Sequence, residues 1–325
     1  MKKIIIDTYG ADSGHVPIIR GALQALSQWK DLSLVLVGDQ KEIELQMQEM
    51  YLDAARIEIM DTDKYITNHD APTRVFKGAE DTSMVMALSR LKSDNEAIGL
   101  ISAGNTGALL VGSICHVGLM KGLMVPALAT AIPCKDTGLL CLVDCGANVD
   151  CTPEDLKRFA IMGNAFMQSY MNMENPKIGL VSVGKEPGKG NTLCKEAYKL
   201  IEALPLNFIG NLEGSDVINS EADVVVTDGF TGNVLLKNIE ACGKYALAVA
   251  EKQCEDLEVF AKIKQSLLEK FDFNSRGGAT FLGVKKTVIK MHGCAVEDTV
   301  SACVGQLLRL EEHNFSARIE SALQK

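Results

Sequence analysis

The sequence predicts an α/β fold with a largely parallel sheet and helices on both faces. The predicted strands are continuous apolar runs, as in Lys177–Val183, which is typical of strands buried on both sides. Strand and helix patterns alternate along the chain, as in folds built from parallel strands and crossover helices. Asp, Asn, Gly and Lys gather where strands end and helices begin, at the edge where open α/β folds bind ligands.

The first part of the chain alternates short apolar runs with segments of helical spacing. The predicted strands here are Ile4–Ile6, Leu32–Val37, Arg56–Met60 and Ala97–Ile101. The predicted helices are Val16–Trp29, Gln40–Met50, Gly78–Leu91 and an Ala/Leu-rich segment after Asn105 and Thr106. Residues 61–74 have no clear period and include a proline, so they are predicted to form a loop.

The second part continues the same alternation to the end of the chain. Its apolar runs and predicted strands are Ala127–Ile132, Gly138–Val143, Lys177–Val183, Leu206–Ile209, Ala222–Val226 and Val288–Met291. Its predicted helices are Pro153–Met171, Asn191–Ala203, Gly232–Cys254, Glu258–Phe271 and Val296–Glu312. Thr152, Pro153 and Asp155 match a capping box with proline at the first helical position. Ser275–Gly283 is rich in glycine and is predicted to be a loop.

The domain prediction is one continuous α/β catalytic unit over residues 1–325. Two consecutive helices, 232–254 and 258–271, are predicted to form a helical arm at about 240–272 that is inserted within this unit. Their length and position are suited to a dimer contact.

Composition excludes several classes of protein. The net charge of −9 argues against general nucleic-acid binding. No apolar run approaches the ~18–20 residues that cross a bilayer, and the run Ile4–Ile6 is too short for a signal peptide. The ten cysteines form no C-x-x-C pair and have no zinc-site spacing. We therefore expect a cytoplasmic protein whose cysteines are small buried hydrophobic residues, with no metal site.

The stretch Ala97–Val111, AIGLISAGNTGALLV, places a tight glycine turn between a buried strand and a helix. The first N–H groups of a helix have no partner within it, and together with the helix dipole they favour an anion such as phosphate. Gly104 and Gly107 allow close approach of a ligand to the backbone. The alternative is a tight strand–helix turn with an Asn or Thr cap.

Similar turns with Asn, Asp or Lys recur at 102–107, 144–150, 184–191, 210–214 and 228–233. None matches the P-loop spacing, and no G-x-G-x-x-G follows the first strand, so a dinucleotide cofactor is not expected. Together the turns predict a cleft rich in N–H donors, with Lys185 and Lys189 as cations, that suits inorganic phosphate or a small phosphorylated ligand. Alternatively, each turn satisfies only its own backbone.

Six ordered motifs together resemble the PlsX-type phosphate acyltransferases of bacterial phospholipid synthesis. They are ISAGNTGALL, VDCGANVDCTPEDL, GKEPGKGN, FIGNLEG, ADVVVTDGFTGNVLLK and RGGATFLGVKKTVIKMHG. The segment HDAPTRVFKGAEDTSMVMAL, which precedes the glycine turn at 102–107 (the central turn), is also similar to this family. The resemblance covers nearly the whole chain.

The resemblance implies an isocitrate or isopropylmalate dehydrogenase-like, phosphotransacetylase-like fold that works as a homodimer. The implied reaction transfers an acyl group from acyl carrier protein to inorganic phosphate without a cofactor. Its product, acyl phosphate, would pass to a glycerol-3-phosphate acyltransferase and feed phospholipid synthesis. Family members can lie at the membrane periphery, but the acidic tip Glu255-Asp256 of this arm argues against contact with anionic lipid.

Site residues follow from the same motifs. Asn148, Lys189 and Asp228 are predicted to be catalytic. The predicted substrate and phosphate ligands are Asp7, Gly10, Asp12, Ser102, Gly104, Asn105, Thr106, Gly107, Gly146, Lys185, Gly188, Gly190, Asn191, Gly229, Gly232 and Asn233. The segment 262–290 is more basic than acidic, and the residues predicted to dock the carrier protein are Lys262, Lys264, Lys270, Arg276, Lys285 and Lys286. The alternative for these is a solvated lysine-bearing helix face.

The first loop, DTYGAD, departs from the DAMGGD-like run of the family, because Tyr9 adds bulk and Ala11 replaces glycine. Two alternatives therefore stay open. One is a phosphotransacylase for short-chain acyl-CoA, or an acyl-phosphate-handling subunit of a larger complex. The other is a non-catalytic phosphate- or acyl-binding protein.

Overall fold

The computed structural model describes residues 1–52, 54–76, 78–134, 138–219, 221–271 and 277–324, without the side chains of 269 and 270. The chain forms two compact units. The first comprises Met1–Pro126 and Asn274–Ser321, and the second comprises Ala127–Phe273 and Ala322–Lys325. The helical arm lies in the second unit. That a single catalytic unit spans the chain stays a prediction.

Strands and helices alternate along most of the chain. The strands are β1 Lys2–Asp7, β2 Leu32–Gly38, β3 Ile57–Asp61, β4 Ala97–Ser102, β5 Ala127–Pro133, β6 Leu139–Val143, β7 Lys177–Val181, β8 Asn207–Leu212, β9 Val224–Val226, β10 Ala279–Leu282 and β11 Thr287–Lys290. The helices are α1 His15–Gln28, α2 Gln40–Glu49, α3 Ser83–Ser93, α4 Thr106–Gly112, α5 Pro153–Tyr170, α6 Thr192–Glu202, α7 Gly229–Gln253, α8 Leu257–Phe271, α9 Glu297–Glu312 and α10 Phe315–Leu323.

The strand order within the first unit is β3-β2-β1-β4-β11-β10. β1 pairs in parallel with β2 and β4, and β11 pairs in parallel with β4. The core on one side joins buried residues of β1, such as Ile4 and Ile6, to α1 and α9, which contribute Leu23 and Leu307. Because these strands run in the same direction, β1, β4 and β11 end at the same edge of the sheet.

The strand order within the second unit is β5-β6-β9-β7-β8. β6, β9, β7 and β8 are mutually parallel, so their carboxyl ends also share one edge. The capping box at the start of α5 is confirmed, because the Asp155 N–H donates to the Thr152 hydroxyl and the Thr152 N–H donates to the Asp155 carboxylate. Such a cap contributes about 1 kcal/mol to stability.

The predicted α/β class with a largely parallel sheet is confirmed, and two strands run against the majority. β5 pairs antiparallel with β6, and β10 pairs antiparallel with β11. β10 also corrects the prediction of a loop at 275–283, of which 275 and 276 lie outside the described residues. Phe281 and Leu282 are buried, but a run this short between glycines has no readable period.

The expectation that the cysteines are buried is wrong for several of them. All ten carry free thiols, and Cys141, Cys145 and Cys303 are buried. Cys115, Cys242 and Cys294 are exposed and the remaining four are intermediate. Cys242 lies on α7 and Cys115 on the helical turn after α4, so an apolar neighbourhood in sequence did not guarantee a buried face.

Candidate active site

A buried carboxylate organises the edge of the first unit where β1, β4 and β11 end. Asp7 is 1% exposed. It accepts a hydrogen bond from the Ser102 hydroxyl at 2.7 Å, and the Ser102 oxygen accepts the Gly104 N–H at 3.0 Å. Burial raises the pKa of Asp7, and the hydrogen bonds from Ser102 and the Tyr9 N–H and the charge of Lys290 oppose this. Ser102 and Gly104 therefore have hydrogen-bond partners inside the protein.

Two glycines bring the loops after β1 and β4 together. Gly10 has a φ of 94°, and a Cβ built on it would lie 2.3 Å from the Gly104 Cα. Only a residue without a side chain fits this contact. The Asp12 N–H donates to the Gly293 carbonyl at 2.7 Å, which joins the loop after β11 to the same edge.

Asn105 has structural partners on both sides of its amide. Its oxygen caps α4 by accepting the Ala108 N–H at 3.0 Å. Its nitrogen lies 3.3–3.4 Å from the carbonyls of residues 67, 68 and 70. Thr106 is the first residue of α4, and Gly107 packs against Pro72. The predicted phosphate ligand Asn105 thus fastens the 67–70 loop to the central turn.

The ring of Tyr9 packs among other aromatic residues. It stacks on Tyr65, with ring centroids 4.8 Å apart and planes 7° from parallel, and lies 5.2 Å from the ring of His15. Tyr9 is 9% exposed, and its ring lies beside Gly38 at the end of β2. The large Tyr9 side chain, which distinguishes the DTYGAD loop from the family pattern, packs within this aromatic cluster.

Asp144 organises the corresponding edge of the second unit. It is 0% exposed and follows β6. Its Oδ1 accepts the N–H groups of Leu128, Gly146 and Ala147 at 2.9–3.0 Å. Its Oδ2 accepts the backbone and side-chain N–H groups of Asn148 at 2.8 and 2.7 Å. Burial raises the pKa of Asp144, and the hydrogen bonds from the five N–H groups oppose this by favouring the ionised carboxylate.

Two of the three predicted catalytic residues lie close together at this edge. The Asn148 carbonyl accepts the Gly229 N–H at 2.8 Å. Asp228 caps α7, accepting the Thr231 N–H at 2.9 Å and the Thr231 hydroxyl at 2.8 Å. A Cβ on Gly229 would lie 2.6 Å from the Asn148 oxygen. The glycine therefore permits the contact between the loop after β6 and the start of α7.

The first turn of α7 also meets the turn after Asp144. Gly232 packs on the Asp144 carbonyl, where a Cβ would overlap the oxygen. The Asn233 amide nitrogen lies 3.5 Å from the Cys145 carbonyl, beside Gly146, whose φ is 139°. The predicted residues Gly146, Gly232 and Asn233 are thus brought together.

The loop 184–191 contains the third predicted catalytic residue. The Lys189 N–H donates to the Glu186 carbonyl at 3.0 Å, closing a turn. The exposed Lys189 side chain has no hydrogen bond or ion pair to any other described residue, whereas Lys185 lies 3.1 Å from the Asp216 carboxylate. Gly188 has open space around it, and Gly190 has a φ of 100°. Asn191 caps α6 through the Cys194 N–H at 2.9 Å.

The thiols near this edge are held in their neutral form. Burial, followed by nearby carboxylates, raises the pKa of Cys151 to about 12. Burial also raises the pKa of Cys145 and Cys194, and the Asp228 carboxylate adds to the effect at Cys194. A neutral thiol is a poor nucleophile.

The basic residues predicted to dock a carrier protein have different environments. Lys262 and Lys264 are exposed on α8, and Lys285 is exposed before β11. The Lys286 ammonium instead donates to the Leu91 and Asp94 carbonyls at 2.8 and 2.6 Å, where it caps α3. The side chain of Lys270 and all of Arg276 lie outside the described residues. The docking role of the set stays a prediction.

Sequence reasoning missed the role of Asp144. The turn 144–150 was predicted to contribute N–H donors, with no separate role for Asp144. No group of His, Cys, Asp or Glu that could hold a metal ion occurs in the described part of the chain. An acidic residue directly before Cys145-Gly146-Ala147 could have indicated a carboxylate that binds the N–H groups of its own turn. No described helix is long and apolar enough to cross a membrane.

The fold is that of the phosphotransacetylases. A phosphotransacetylase from Streptococcus pyogenes aligns with a TM-score of 0.66 at 15% identity, covering 95% of this chain and 94% of that one. A branched-chain phosphotransacylase from Enterococcus faecalis aligns with a TM-score of 0.60 at 14% identity, covering 96% and 100%. At these identities the likeness shows the fold alone.

Sequence comparison gives the family. Residues 2–318 match the family described as Fatty acid synthesis protein. A phosphate acyltransferase from Clostridioides difficile is 37% identical over 333 residues, covering 99% of this chain and 96% of the relative. A phosphate acyltransferase from Bacillus cereus is 35% identical over 330 residues, covering 99% and 98%. The chain belongs to this family of acyl-transferring enzymes.

Proposed function

We propose that the protein transfers an acyl group from acyl carrier protein to inorganic phosphate and releases acyl phosphate. The observation that carries this proposal is the family membership, over 99% of the chain, with relatives named phosphate acyltransferases. The edge of the second unit supports it, since the exposed Lys189 side chain there has no hydrogen bond or ion pair to any other described residue.

Bound phosphate is the nucleophile in this proposal. One phosphate oxygen attacks the thioester carbonyl, the C–S bond breaks, and the carrier thiol leaves. Lys189 is the cation that holds the phosphate, because it is exposed and unpaired among the described residues. The raised pKa values of Cys145, Cys151 and Cys194 argue against a thiolate nucleophile here. The protein contributes proximity and stabilisation of the developing oxyanion.

Asn148 and Asp228 shape this site. Asn148 is fixed by two bonds to Asp144 and one from Gly229. Asp228 is fixed at the start of α7 by Thr231. Their positions next to the glycine turns suit residues that orient the reacting groups, and this role remains part of the proposal.

Two protein contacts belong to the same proposal. Lys262, Lys264 and Lys285, exposed and cationic, are the residues that would meet an acidic carrier protein. The arm formed by α7 and α8 exposes large apolar side chains, with Tyr245 73% and Leu257 80% exposed. Exposed apolar surface of this kind favours an arm-mediated homodimer.

The direct test is phosphate-dependent release of thiol from a long-chain acyl carrier protein, run beside acetyl-CoA and butyryl-CoA. We expect release from the carrier protein only when phosphate is present, together with an acyl phosphate that hydroxylamine traps. Release from the short CoA esters alone would instead assign the protein as a short-chain phosphotransacylase. No release from any donor would contradict the enzymatic proposal and favour a binding protein.

A further inference from the structure

A buried amide links the sheet of the second unit to the loop 184–191. Asn211 is the penultimate residue of β8 and is 5% exposed. Its Nδ2 donates to the Glu186 carbonyl at 2.8 Å. This bond joins a rigid strand to a loop of which residues 185–189 are exposed.

The same carbonyl also closes the turn that contains Lys189. The Glu186 oxygen accepts the Lys189 N–H at 3.0 Å as well as the Asn211 amide. Both bonds fix the direction in which the chain leaves Glu186 and therefore where the Lys189 side chain begins. A further side-chain contact of this stretch joins Lys185 to Asp216. The lysine side chain is 66% exposed, and exposed ion pairs of this kind hold geometry weakly.

The other end of the Asn211 amide has no hydrogen-bond partner in the described part of the chain. Its Oδ1 is buried and receives no hydrogen bond from any described residue. Burial of an unpaired acceptor lowers stability. An apolar side chain of similar size would avoid this cost, so stability alone does not explain an asparagine here.

We propose that Asn211 is a positioning residue for the phosphate-binding lysine, because its amide ties the Lys189 turn to β8. This inference rests on the proposed function. Asn211 acts through the loop and not on the substrate, so its loss should change the position of the lysine and leave the carboxylates and amides at the ends of β6 and β9 in place.

The test uses Asn211→Leu, which replaces the amide donor and the oxygen with an apolar side chain of the same branched shape. We expect kcat/KM for phosphate to fall about tenfold, the scale of one lost hydrogen bond, mainly through a higher KM. The melting temperature should not fall. Asn211→Ala is the second variant, with the same kinetic change expected and lower stability from the cavity.

The matched control is Asn207→Leu, at the other end of β8. Asn207 donates one amide hydrogen bond to the Asn175 carbonyl at 3.2 Å. It is the first residue of β8 and lies at the end of the strand away from Asn211. Its kinetics should equal those of the wild type. In a Lys189→Ala background, Asn211→Leu should have no further effect on KM for phosphate, because coupled residues are not additive.

An unchanged KM for phosphate in both Asn211 variants of an active enzyme would overturn the positioning role alone. So would additive effects of the Lys189 and Asn211 substitutions. An inactive wild type, with every donor and with no saturable binding of radiolabelled phosphate, would overturn the proposed function and this inference with it.

Discussion

The two sheet edges are built on the same plan and leave different groups available. In the first unit, the buried Asp7 binds Ser102, which in turn binds the Gly104 N–H. In the second unit, the buried Asp144 binds five N–H groups of its surroundings. Each carboxylate fixes a glycine turn, and at the second edge the Lys189 side chain lies in a loop predicted to bind phosphate and has no hydrogen bond or ion pair to another described residue.

The difference indicates that a glycine turn after a strand does not by itself identify a phosphate site. At the central turn the donors are used within the protein: Asn105 caps α4 and binds the 67–70 loop. Around the loop 184–191 the backbone is similarly tied, yet the Lys189 ammonium remains open to solvent. The proposal that phosphate is recognised in the second unit rests on this lysine.

The largest effect should come from Asp144→Asn. The substitution removes the carboxylate charge and replaces one accepting oxygen with an NH₂ group, which cannot accept from the N–H groups that face it. At least one of the five hydrogen bonds is therefore lost at a buried site. We expect the free energy of unfolding to fall by about 3 kcal/mol, measured by urea denaturation. Asp150→Asn, an exposed carboxylate in the same loop, should change it by less than about 0.5 kcal/mol. Equal effects of the two substitutions would contradict the organising role of Asp144.

The next largest effect separates the two lysines of one loop. Lys189→Ala should lower kcat/KM for phosphate about 100-fold, because a preorganised cation acts on the charge of the reacting anion. Lys185→Ala should change it less than about threefold, since this lysine is already paired with Asp216 on the surface. Steady-state thiol release at varied phosphate measures both, and a reversed order would assign the role to Lys185.

Ser102→Ala probes the first unit. Loss of the hydroxyl removes one hydrogen bond from Asp7, which keeps the Tyr9 N–H, and removes the partner of the Gly104 N–H. Stability should therefore fall by about 1–2 kcal/mol. The KM for phosphate should stay within about threefold of the wild type, as judged by the same thiol-release assay. If Ser102→Ala raised the KM for phosphate more than Lys189→Ala does, phosphate binding would be assigned to the central turn instead.

The smallest effects concern the basic residues before β11. Lys286→Ala removes a cap from α3 and should lower stability by about 1 kcal/mol without changing the KM for carrier protein. Lys285→Ala should raise that KM a few fold at low salt and less at high salt, because exposed charges are screened. A Lys286 variant of normal stability with a raised carrier KM would contradict the capping assignment.

Particular residues show which features could be predicted from sequence. Buried parallel strands and the Thr152 capping box have local signatures, and both were predicted from the residues alone. β10 is too short for its period to be read, and its pairing with β11 is a tertiary effect. β10 shows that a high glycine content does not exclude a strand when the short run between the glycines is apolar and buried.

The sequence predicted which segments contain candidate site residues, but not which residues contact one another. The motifs predicted Asn148, Lys189 and Asp228 as catalytic residues, and these roles stay predictions. Sequence could not show that the Asn105 amide lies against carbonyls 35–38 residues earlier in the chain, or that Lys286 caps a helix. Such contacts depend on the packing of distant loops, which spacing along the chain does not encode.

The most direct test of phosphate recognition in the second unit is equilibrium dialysis of radiolabelled phosphate without any acyl donor. The wild type, Lys189→Ala and Ser102→Ala proteins would be compared at equal concentration. The account predicts saturable binding by the wild type and by Ser102→Ala, and its loss in Lys189→Ala. Binding that survives in Lys189→Ala and is lost in Ser102→Ala would contradict it.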